Sequence, residues 1–448
     1  MSSEDTIHYE FDCEAEDFFL PPLTVGDFSL RPVNLLSDVM ADEADTLATE
    51  EPGLVSINTD YRDSVPQGMV PIEDFRDSLG IDREMDKFYA ALDKAGERPV
   101  RIAYFGDSFI EGDIFTAAVR NLLQERYGGR GVGFIDIMSQ VAGFRTTVVE
   151  HSRGWIDHNV IDPASKGFDP NLQGINARYY LPAEGACIDG RGQHSVFEQH
   201  LDTVGMATVF FTPTPSLGMT MSVNGKPSQP LYAAPDSVGQ EVTSCTVRGK
   251  IGSIHIDVSG QGRFYGIALE GKTGIVLDSY SMRGSVGWHL SYIPEETLRQ
   301  FAALRHYDLI IMHYGLNMVT PSAKGYTVYC DKFKPGIDHF RQAFPDASLL
   351  VVSVSDRDTR SVNGEFVTMK GLEALVSAQR NMAKEEGIAF WNLQQGMGGS
   401  GSMARLQQEG KANRDYTHIN FQGGKELGQL FYDVLMNRSE EHTSELQS

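Results

Sequence analysis

The 448-residue chain is 41% hydrophobic, so it is long enough to bury a large core and to form more than one domain. Its net charge is −23, and it lacks the clustered Lys and Arg that bind phosphates, which argues against a nucleic-acid partner. No apolar run approaches the roughly 20 residues that a membrane-spanning helix needs, so the sequence predicts no transmembrane segment.

Acidic residues are concentrated at the start of the chain. Residues 1–60 contain 15 Asp and Glu and one basic residue, Arg31, a net charge of −14 that leaves −9 of the total −23 for the rest. This composition is typical of a solvated arm without a core, and we predict that residues 1–65 are disordered. The first residues have neither a basic region nor an apolar run, so no export signal is visible in this sequence.

The first part of a predicted α/β unit is a strand, a tight turn and a helix. An amphipathic pattern at 72–95 leads into an apolar run at 100–105, which Gly106-Asp107-Ser108 ends. Apolar residues at helical spacing follow at 114–127. Ser108 is therefore expected at the carboxyl end of a buried strand and the start of a helix. Open α/β sheets bind ligands there, and a helix N-terminus favours developing negative charge.

The pattern changes between residues 168 and 272. Short β-branched or alternating runs recur there, separated by Gly, Pro, Asn and Ser, at 207–211, 219–223, 241–247 and 254–258. Such runs are typical of a β-sandwich. Because an α/β pattern resumes afterwards, we predict a β-sandwich domain at 168–272, inserted into an α/β unit that comprises 66–167 and 273–437.

The second part of the α/β unit contains four more apolar runs, at 274–280, 308–313, 349–354 and 388–393. They alternate with helical stretches, and with the first strand they make five, the pattern of a parallel sheet with crossover helices. A last helix at 423–436 closes the unit. The polar residues 438–448 are predicted to be a disordered tail.

Polar loops follow these strands at the edge of the sheet where an active site is expected. The residues that stand out, in chain order, are Gly106-Asp107-Ser108, Gly284 in the loop Ser281-Met282-Arg283-Gly284, Gly315-x-Asn317 and Asp415-x-x-His418. These four groups, in this order, resemble the four motif blocks of the SGNH (GDSL) hydrolase family. The β-rich insertion and the loop around Gly284 also resemble the Bacteroidetes-type members, and the insertion is similar in kind to that of peptidoglycan O-acetylesterases.

The chemistry of these residues supports nucleophilic catalysis. A serine hydroxyl is a poor nucleophile at neutral pH and needs an adjacent base, for which His418 is the candidate. Asp415, three residues earlier, can accept a hydrogen bond from the imidazole and fix its tautomer. Backbone N–H groups at Ser108 and Gly284 and the side-chain amide of Asn317 can donate to the oxyanion that the attack creates. We predict a Ser108-His418-Asp415 triad with these three groups as its oxyanion hole.

Three other residues are candidates for a substrate pocket. Asp107 precedes the candidate nucleophile, Trp288 lies close to Gly284 in sequence, and Tyr314 precedes the third motif block.

We predict no metal site and no cofactor. The four cysteines, Cys13, Cys187, Cys245 and Cys330, show no CxxC spacing, and the histidines show no HxH or HExxH spacing. The sequence leaves open whether Cys187 and Cys245 form a disulfide.

The resemblance implies an α/β fold, a flavodoxin-like three-layer αβα sandwich with a parallel five-stranded sheet that carries the inserted β-sandwich. It implies a serine esterase, an O-acetylesterase acting on peptidoglycan or another bacterial glycan, in the periplasm with its leader absent from this sequence. The alternative functions are a lipase or thioesterase of the same family and a glycan-binding protein with a vestigial site, and the alternative location is the cytoplasm. The oligomeric state is left open.

Overall fold

The computed structural model describes residues 8–10, 69–75, 83–139, 141, 143–161, 167–194, 198–234, 239, 241–321 and 325–446, with the backbone alone at 8–10 and 438–446. The strands are β1 (His8–Glu10), β2 (Glu73–Asp74), β3 (Pro99–Gly106), β4 (Gly133–Ile135), β5 (Val148–Asn159), β6 (Arg178–Gly192), β7 (Val204–Pro213), β8 (Gly218–Val223), β9 (Gln229–Ala233), β10 (Thr243–Ile251), β11 (Ile254–Ser259), β12 (Gly262–Glu270), β13 (Gly274–Ser281), β14 (Leu309–His313), β15 (Ser348–Val352), β16 (Asp358–Arg360), β17 (Phe366–Thr368) and β18 (Ala389–Trp391). The α-helices are α1 (Asp86–Leu92), α2 (Thr116–Tyr127), α3 (Glu295–Leu304), α4 (Thr327–Ala343), α5 (Leu372–Glu386), α6 (Leu393–Gly396), α7 (Ser402–Gln408) and α8 (Phe421–Leu446).

Six strands form the sheet of the α/β unit, in the order β13-β3-β14-β15-β18-β2. The first four pairings are parallel, and β2, which the sequence analysis did not predict, adds an antiparallel pair at the edge. Numbered along the chain, the parallel strands lie in the order 2-1-3-4-5, as in flavodoxin-like sheets. The register pairs Gly106 with both Ser281 and His313, so the carboxyl ends of three neighbouring strands meet at one level.

The strands at the centre of this sheet are buried on both faces. Every residue of β14 and β15 is buried, which explains why these strands appear in the sequence as continuous apolar runs rather than as alternating patterns. The helices pack in two groups: α1 and α2 contact α8, whereas α4 contacts α3 and α5. The hydrophobic core of the unit lies between these helices and the sheet.

Helices α2 and α8 approach each other closely because α8 presents glycines to the chain around α2. A Cβ atom at Gly424 would collide with the backbone carbonyl of Ile114, and one at Gly428 would crowd the side chain of Ala118. The helix α8 also runs to Leu446, so the backbone at 438–446 is helical where the sequence analysis expected a disordered tail.

The inserted domain is one antiparallel sheet of ten strands rather than the two sheets of the predicted β-sandwich. Nine of its strands lie between β4 and β12, and they enclose a core of their own in a barrel-like arrangement. Backbone pairing between β12 and β6, which joins the two parts of the sheet, is limited to one residue pair, Phe264 with Tyr180. Strands β4 and β5 precede residue 168, where the sequence analysis placed the start of the insertion.

The tenth strand of this sheet comes from the acidic arm. His8–Glu10 pairs with β10, although the sequence analysis expected disorder at 1–65. The remaining residues of that arm lie outside the described residues.

A buried network of charges joins the two sheets. The Arg305 guanidinium donates to both carboxylate oxygens of Asp278, at 2.5 and 2.7 Å, and lies 2.7 Å from the Glu270 carboxylate. Asp278 also accepts from the backbone N–H of Phe134, at 2.7 Å. Since Asp278 belongs to β13, Glu270 to β12 and Phe134 to β4, the network ties the inserted sheet to the α/β unit. Removing one charge from such a buried group typically costs about 3–5 kcal/mol.

Candidate active site

Ser108 lies in the tight turn that follows β3, as the sequence predicts. Ser108 is buried, with 7% of its surface exposed. The carboxylate of Asp107 accepts from the backbone N–H of Phe109 at 3.0 Å, which is the local hydrogen bond of an Asx-turn. The turn therefore fixes the backbone next to the hydroxyl while leaving the hydroxyl accessible to a partner.

His418 is that partner, although it lies 310 residues later in the chain. The Ser108 Oγ and the His418 Nε2 are 2.8 Å apart, and the His418 Nδ1 is 2.7 Å from the Asp415 Oδ2. Because an ionised carboxylate can only accept, Nδ1 carries the hydrogen and Nε2 is left to accept from the Ser108 hydroxyl. The three side chains form one hydrogen-bonded series.

The short loop before α8 orients the acid and the base. The other carboxylate oxygen of Asp415 accepts from the backbone N–H groups of Thr417, at 3.0 Å, and of His418, at 3.1 Å. Burial opposes the ionisation of Asp415, but the hydrogen bonds from His418 and from the two backbone groups outweigh it and hold the pKa of Asp415 below its usual value. Asp415 is therefore the charged member of the series at neutral pH.

The loop also contains a backbone conformation that is uncommon for its residue type. Tyr416 has a φ of 54°, in the left-handed region, and its carbonyl accepts from the backbone N–H of Asp358 at 2.9 Å. The Tyr416 ring stacks on Phe366 of the neighbouring β17. The hairpin of β16 and β17 thus supports the conformation that turns His418 toward Ser108.

Gly284 and Asn317 lie in the loops that follow the two strands on either side of β3. Gly284 has a φ of 79°, and a Cβ atom there would have no neighbour within 4 Å. The backbone N–H of Met282 donates to the Gly106 carbonyl at 2.9 Å, which connects the Gly284 loop to the end of β3. The Asn317 amide donates one hydrogen to the Ser285 carbonyl at 2.8 Å, and its second hydrogen is available for another acceptor.

Asp107 connects the Ser108 turn to the Asn317 loop. Besides its bond to the turn, its carboxylate accepts from the backbone N–H of Leu316 at 3.3 Å. Burial raises the pKa of Asp107 to about 6, because the hydrogen bonds from the backbone only partly compensate for the loss of water. Asp107 is buried and bonded to the backbone of both loops, and a role in binding substrate stays a prediction.

Comparison with known proteins gives a match at the level of the fold. No protein-family model matches the sequence, and no curated protein matches it. A solved structure of a peptidoglycan O-acetylesterase aligns over 83% of this chain and 99% of its own, with 18% sequence identity and a TM-score of 0.67. The chain has the fold of that esterase.

Other solved structures align with much lower TM-scores. They include a family two carbohydrate esterase from Clostridium thermocellum, which covers 66% of this chain and 99% of its own at 13% identity and a TM-score of 0.26. They also include a protein described as a GDSL-like lipase from Parabacteroides merdae, which covers 36% of this chain and 74% of its own at 13% identity and a TM-score of 0.28.

The two aromatic residues predicted for the pocket are both buried in the α/β core. The Trp288 indole N–H donates to the Tyr329 carbonyl at 3.1 Å, and Lys332 lies over the ring. The Tyr314 ring packs beside Phe333, and its hydroxyl has no hydrogen-bond partner among the described residues. A role in binding substrate stays a prediction for both.

The structure adds one charged pair that the sequence analysis did not single out. Glu111, in the turn after Ser108, is buried and pairs with the half-exposed Arg283 beside Gly284. Arg283 belongs to the loop Ser281-Met282-Arg283-Gly284, so the sequence places it near the site. Its pairing with Glu111 depends on the fold and has no sequence signal. The pair fastens the Gly284 loop to the turn that holds the candidate nucleophile.

The thiols and one group of possible metal ligands complete the inventory of reactive side chains. Cys187, Cys245 and Cys330 are buried, and no disulfide links Cys187 to Cys245 here; Cys13 lies outside the described residues. In the part of the chain that the structure describes, one group of side chains could hold a metal ion: Cys187, Asp189 and His255 of the inserted sheet. None of the helices described there is long and apolar enough to span a bilayer.

Proposed function

We propose that the chain is a serine esterase that removes O-acetyl groups from a glycan, with peptidoglycan as the leading substrate. The observation that carries this proposal is the hydrogen-bonded series from Ser108 through His418 to Asp415, at 2.8 and 2.7 Å. Three side chains of these types, brought together from opposite ends of the chain, match the geometry of nucleophile, base and orienting acid. The fold shared with a peptidoglycan O-acetylesterase supports the choice of substrate class.

The proposed reaction proceeds in two steps. The Ser108 oxygen bonds to the acetyl carbonyl carbon as its proton passes to His418 Nε2, and the sugar oxygen then leaves with that proton. Water next gives a proton to His418 and attacks the acetyl-Ser108 ester, and acetate leaves as Ser108 regains its proton. Asp415 stays ionised throughout and stabilises the imidazolium.

The oxyanion of each step needs preorganised donors. We propose the backbone N–H groups of Ser108 and Gly284 and the free hydrogen of the Asn317 amide for this role. Two observations support it: the bond from Asn317 to Ser285 holds the amide rigidly, and the left-handed Gly284 lies in a loop bonded to the end of β3. Losing one such donor typically costs about 2.7–4 kcal/mol of transition-state stabilisation.

The proposal extends to the layers of the α/β unit, the role of the inserted domain and the location of the protein. We propose that the α/β unit is a flavodoxin-like three-layer αβα sandwich, which the strand order and the two groups of helices support. The inserted β domain would hold the polymer near Ser108. A periplasmic or other extracytoplasmic location suits a cell-wall substrate, and fractionation of cells that express the native gene would test it.

Acetate release tests the proposed function directly. The protein should release acetate from O-acetylated peptidoglycan faster than from acetylated xylan, and Ser108→Ala should abolish the release. Ser377→Ala, at an exposed serine of α5 that bonds only to its own helix, is the matched control and should keep full activity. Equal activity of the wild type and Ser108→Ala would assign any hydrolysis to another site and leave glycan binding as the remaining function.

A panel of acyl esters separates the acetylesterase from a lipase or thioesterase. We expect the highest kcat/KM for acetyl esters, with a decline as the acyl chain lengthens. A marked preference for chains longer than four carbons would contradict the acetyl assignment while leaving the esterase mechanism intact.

A further inference from the structure

The outer face of the inserted sheet carries metal-ligand side chains on adjacent strands. Residue pairing aligns Asp189 of β6 with His255 of β11, and Cys187 lies two residues from Asp189 on the same strand. Their neighbours Ile188 and Ile256 belong to the core of the domain. Because side chains alternate between the two faces of a strand, Cys187, Asp189 and His255 all lie on the outer face.

These three side chains are close enough to share one ion. The thiol sulfur of Cys187, a carboxylate oxygen of Asp189 and a ring nitrogen of His255 all lie within 4.8 Å of one another. Zn²⁺ binds sulfur, nitrogen and oxygen ligands at about 2.0–2.3 Å, so tetrahedral ligands lie roughly 3.3–3.8 Å apart. Small side-chain rotations would therefore bring the three atoms to bonding distance.

The burial of Cys187 is unusual for its position in the sheet. It faces outward, yet the residue is only 2% exposed, whereas the side chains of Asp189 and His255 are 45% and 35% exposed. The thiol thus lies beneath two polar side chains that can ligate a metal, outside the hydrophobic core of its own domain. This geometry gives an ion one interior ligand and two ligands that remain accessible from solvent.

Two further side chains complete the arrangement. His151 of β5 pairs with Asp189 from the other side, and its Nδ1 is 3.8 Å from the second carboxylate oxygen of Asp189. Both ring nitrogens of His255 face carboxylates: Nδ1 is 2.7 Å from Asp189 and Nε2 is 3.2 Å from Asp257. An ion at Nδ1 would displace the hydrogen there, and Asp257 would keep the hydrogen on Nε2. A carboxylate that orients a metal-bound histidine in this way is a common outer-shell feature.

We infer that Cys187, Asp189, His255 and His151 form a binding site for a divalent transition-metal ion, with Zn²⁺ the ion that suits this donor set. Thiolate and imidazole ligands favour Zn²⁺ over Ca²⁺ or Mg²⁺, which take oxygen ligands. The ion would join β5, β6 and β11 and has no part in the chemistry at Ser108. With His151 rotated in as the fourth ligand, the ion would have no open position, and the site would be structural.

Isothermal titration and Co²⁺ spectroscopy test this inference. The full chain, without a histidine tag, is treated with a chelator and a phosphine reductant and titrated with ZnCl₂. We expect one equivalent to bind, and Co²⁺ to give the near-ultraviolet charge-transfer band of a cobalt–thiolate bond. Cys187→Ser should remove that band and weaken binding by more than about 100-fold, and Asp257→Asn should weaken it by roughly 10–100-fold.

Matched variants separate this site from adventitious binding. His194 and Asp202 form an exposed histidine–carboxylate pair 3.2 Å apart in the same domain, so His194→Gln should bind like the wild type. Cys330→Ser removes a buried thiol of α4 and should also leave binding unchanged.

If Cys187→Ser does not fold, His255→Gln replaces a half-exposed residue and should still abolish the stoichiometric binding. The inference is overturned by a wild type that binds no Zn²⁺ stoichiometrically, or by binding that survives in both Cys187→Ser and His255→Gln.

Discussion

Replacing Asp415 by asparagine is the sharpest test of the roles proposed for Ser108, His418 and Asp415. The substitution keeps the size of the side chain and one oxygen, so the amide oxygen can still accept from the backbone N–H groups of Thr417 and His418, now at 3.0 and 3.1 Å. The group that faces the imidazole changes from an acceptor at 2.7 Å to an NH₂ donor. The local fold should therefore persist while the hydrogen bond to the ring is reversed.

The reversed bond determines the expected magnitude. An amide donor would hold the His418 Nδ1 as an acceptor, which places the ring hydrogen on Nε2, where it cannot accept the Ser108 proton. In serine proteases the same change of tautomer lowers kcat about 10⁴-fold, equivalent to roughly 5.5 kcal/mol. We expect a loss of that order in kcat here, with KM nearly unchanged.

Hydrolysis of a chromogenic acetyl ester provides the assay, with urea unfolding as the check on stability. Asp338→Asn is the matched control, because Asp338 forms an exposed pair with Arg341 three residues later on α4; it should keep full activity. Retention of more than a tenth of the wild-type kcat by Asp415→Asn would refute the proposed role of Asp415. A large loss of stability in that variant would instead show that the carboxylate acts mainly on the loop.

Three further predictions concern the oxyanion donor, the pH dependence of stability and the core. Asn317→Ala should lower kcat by roughly 10²–10³-fold with little change in KM, and an unchanged kcat would remove Asn317 from the oxyanion hole. Folding raises the pKa of Asp107 from 3.8 to about 6, so its contribution to the free energy of unfolding falls as pH rises from about 4 to about 6. Urea unfolding of the wild type minus that of Asp107→Asn should show a decrease of up to about 3 kcal/mol over this interval, whereas a flat difference would contradict it. Phe115→Ala, at a fully buried ring beside Phe431 of α8, should cost about 3–5 kcal/mol in the same assay, and a loss under 1 kcal/mol would show that the core collapses around the cavity.

The α/β unit could be predicted from the sequence because its signals are local. Buried parallel strands are continuous apolar runs, and the turn at Gly106-Asp107-Ser108 ends one of them within three residues. The approach of His418 to Ser108 depends on the topology of the whole unit. It could be predicted only because the order of the four motif groups resembles that of a known family. The two-residue strand β2 is too short to show a pattern of its own.

The inserted domain and the supports of the site were less predictable because they depend on pairing between distant segments. Alternating strands indicate an antiparallel domain, but whether they close into one sheet or two depends on contacts such as Phe264 with Tyr180, which no local pattern contains. The hydrogen bond from Asp358 of β16 to Tyr416 likewise joins two segments far apart in sequence. A cluster such as Cys187, Asp189 and His255 has no motif spacing, since strand register alone brings its members together.

The glycines of α8 have a consequence for the relative position of Ser108 and His418. Gly424 and Gly428 let the helix after His418 lie against the chain that leads from Ser108 into α2, so the segments that carry the two side chains pack directly on each other. The inserted domain leaves the α/β unit after α2 and rejoins it at β13. It is not part of the packing between α2 and α8. Since the buried charges of Arg305, Asp278 and Glu270 also fasten that domain to the α/β unit, the spacing of the hydroxyl and the imidazole is set by helix packing within that unit.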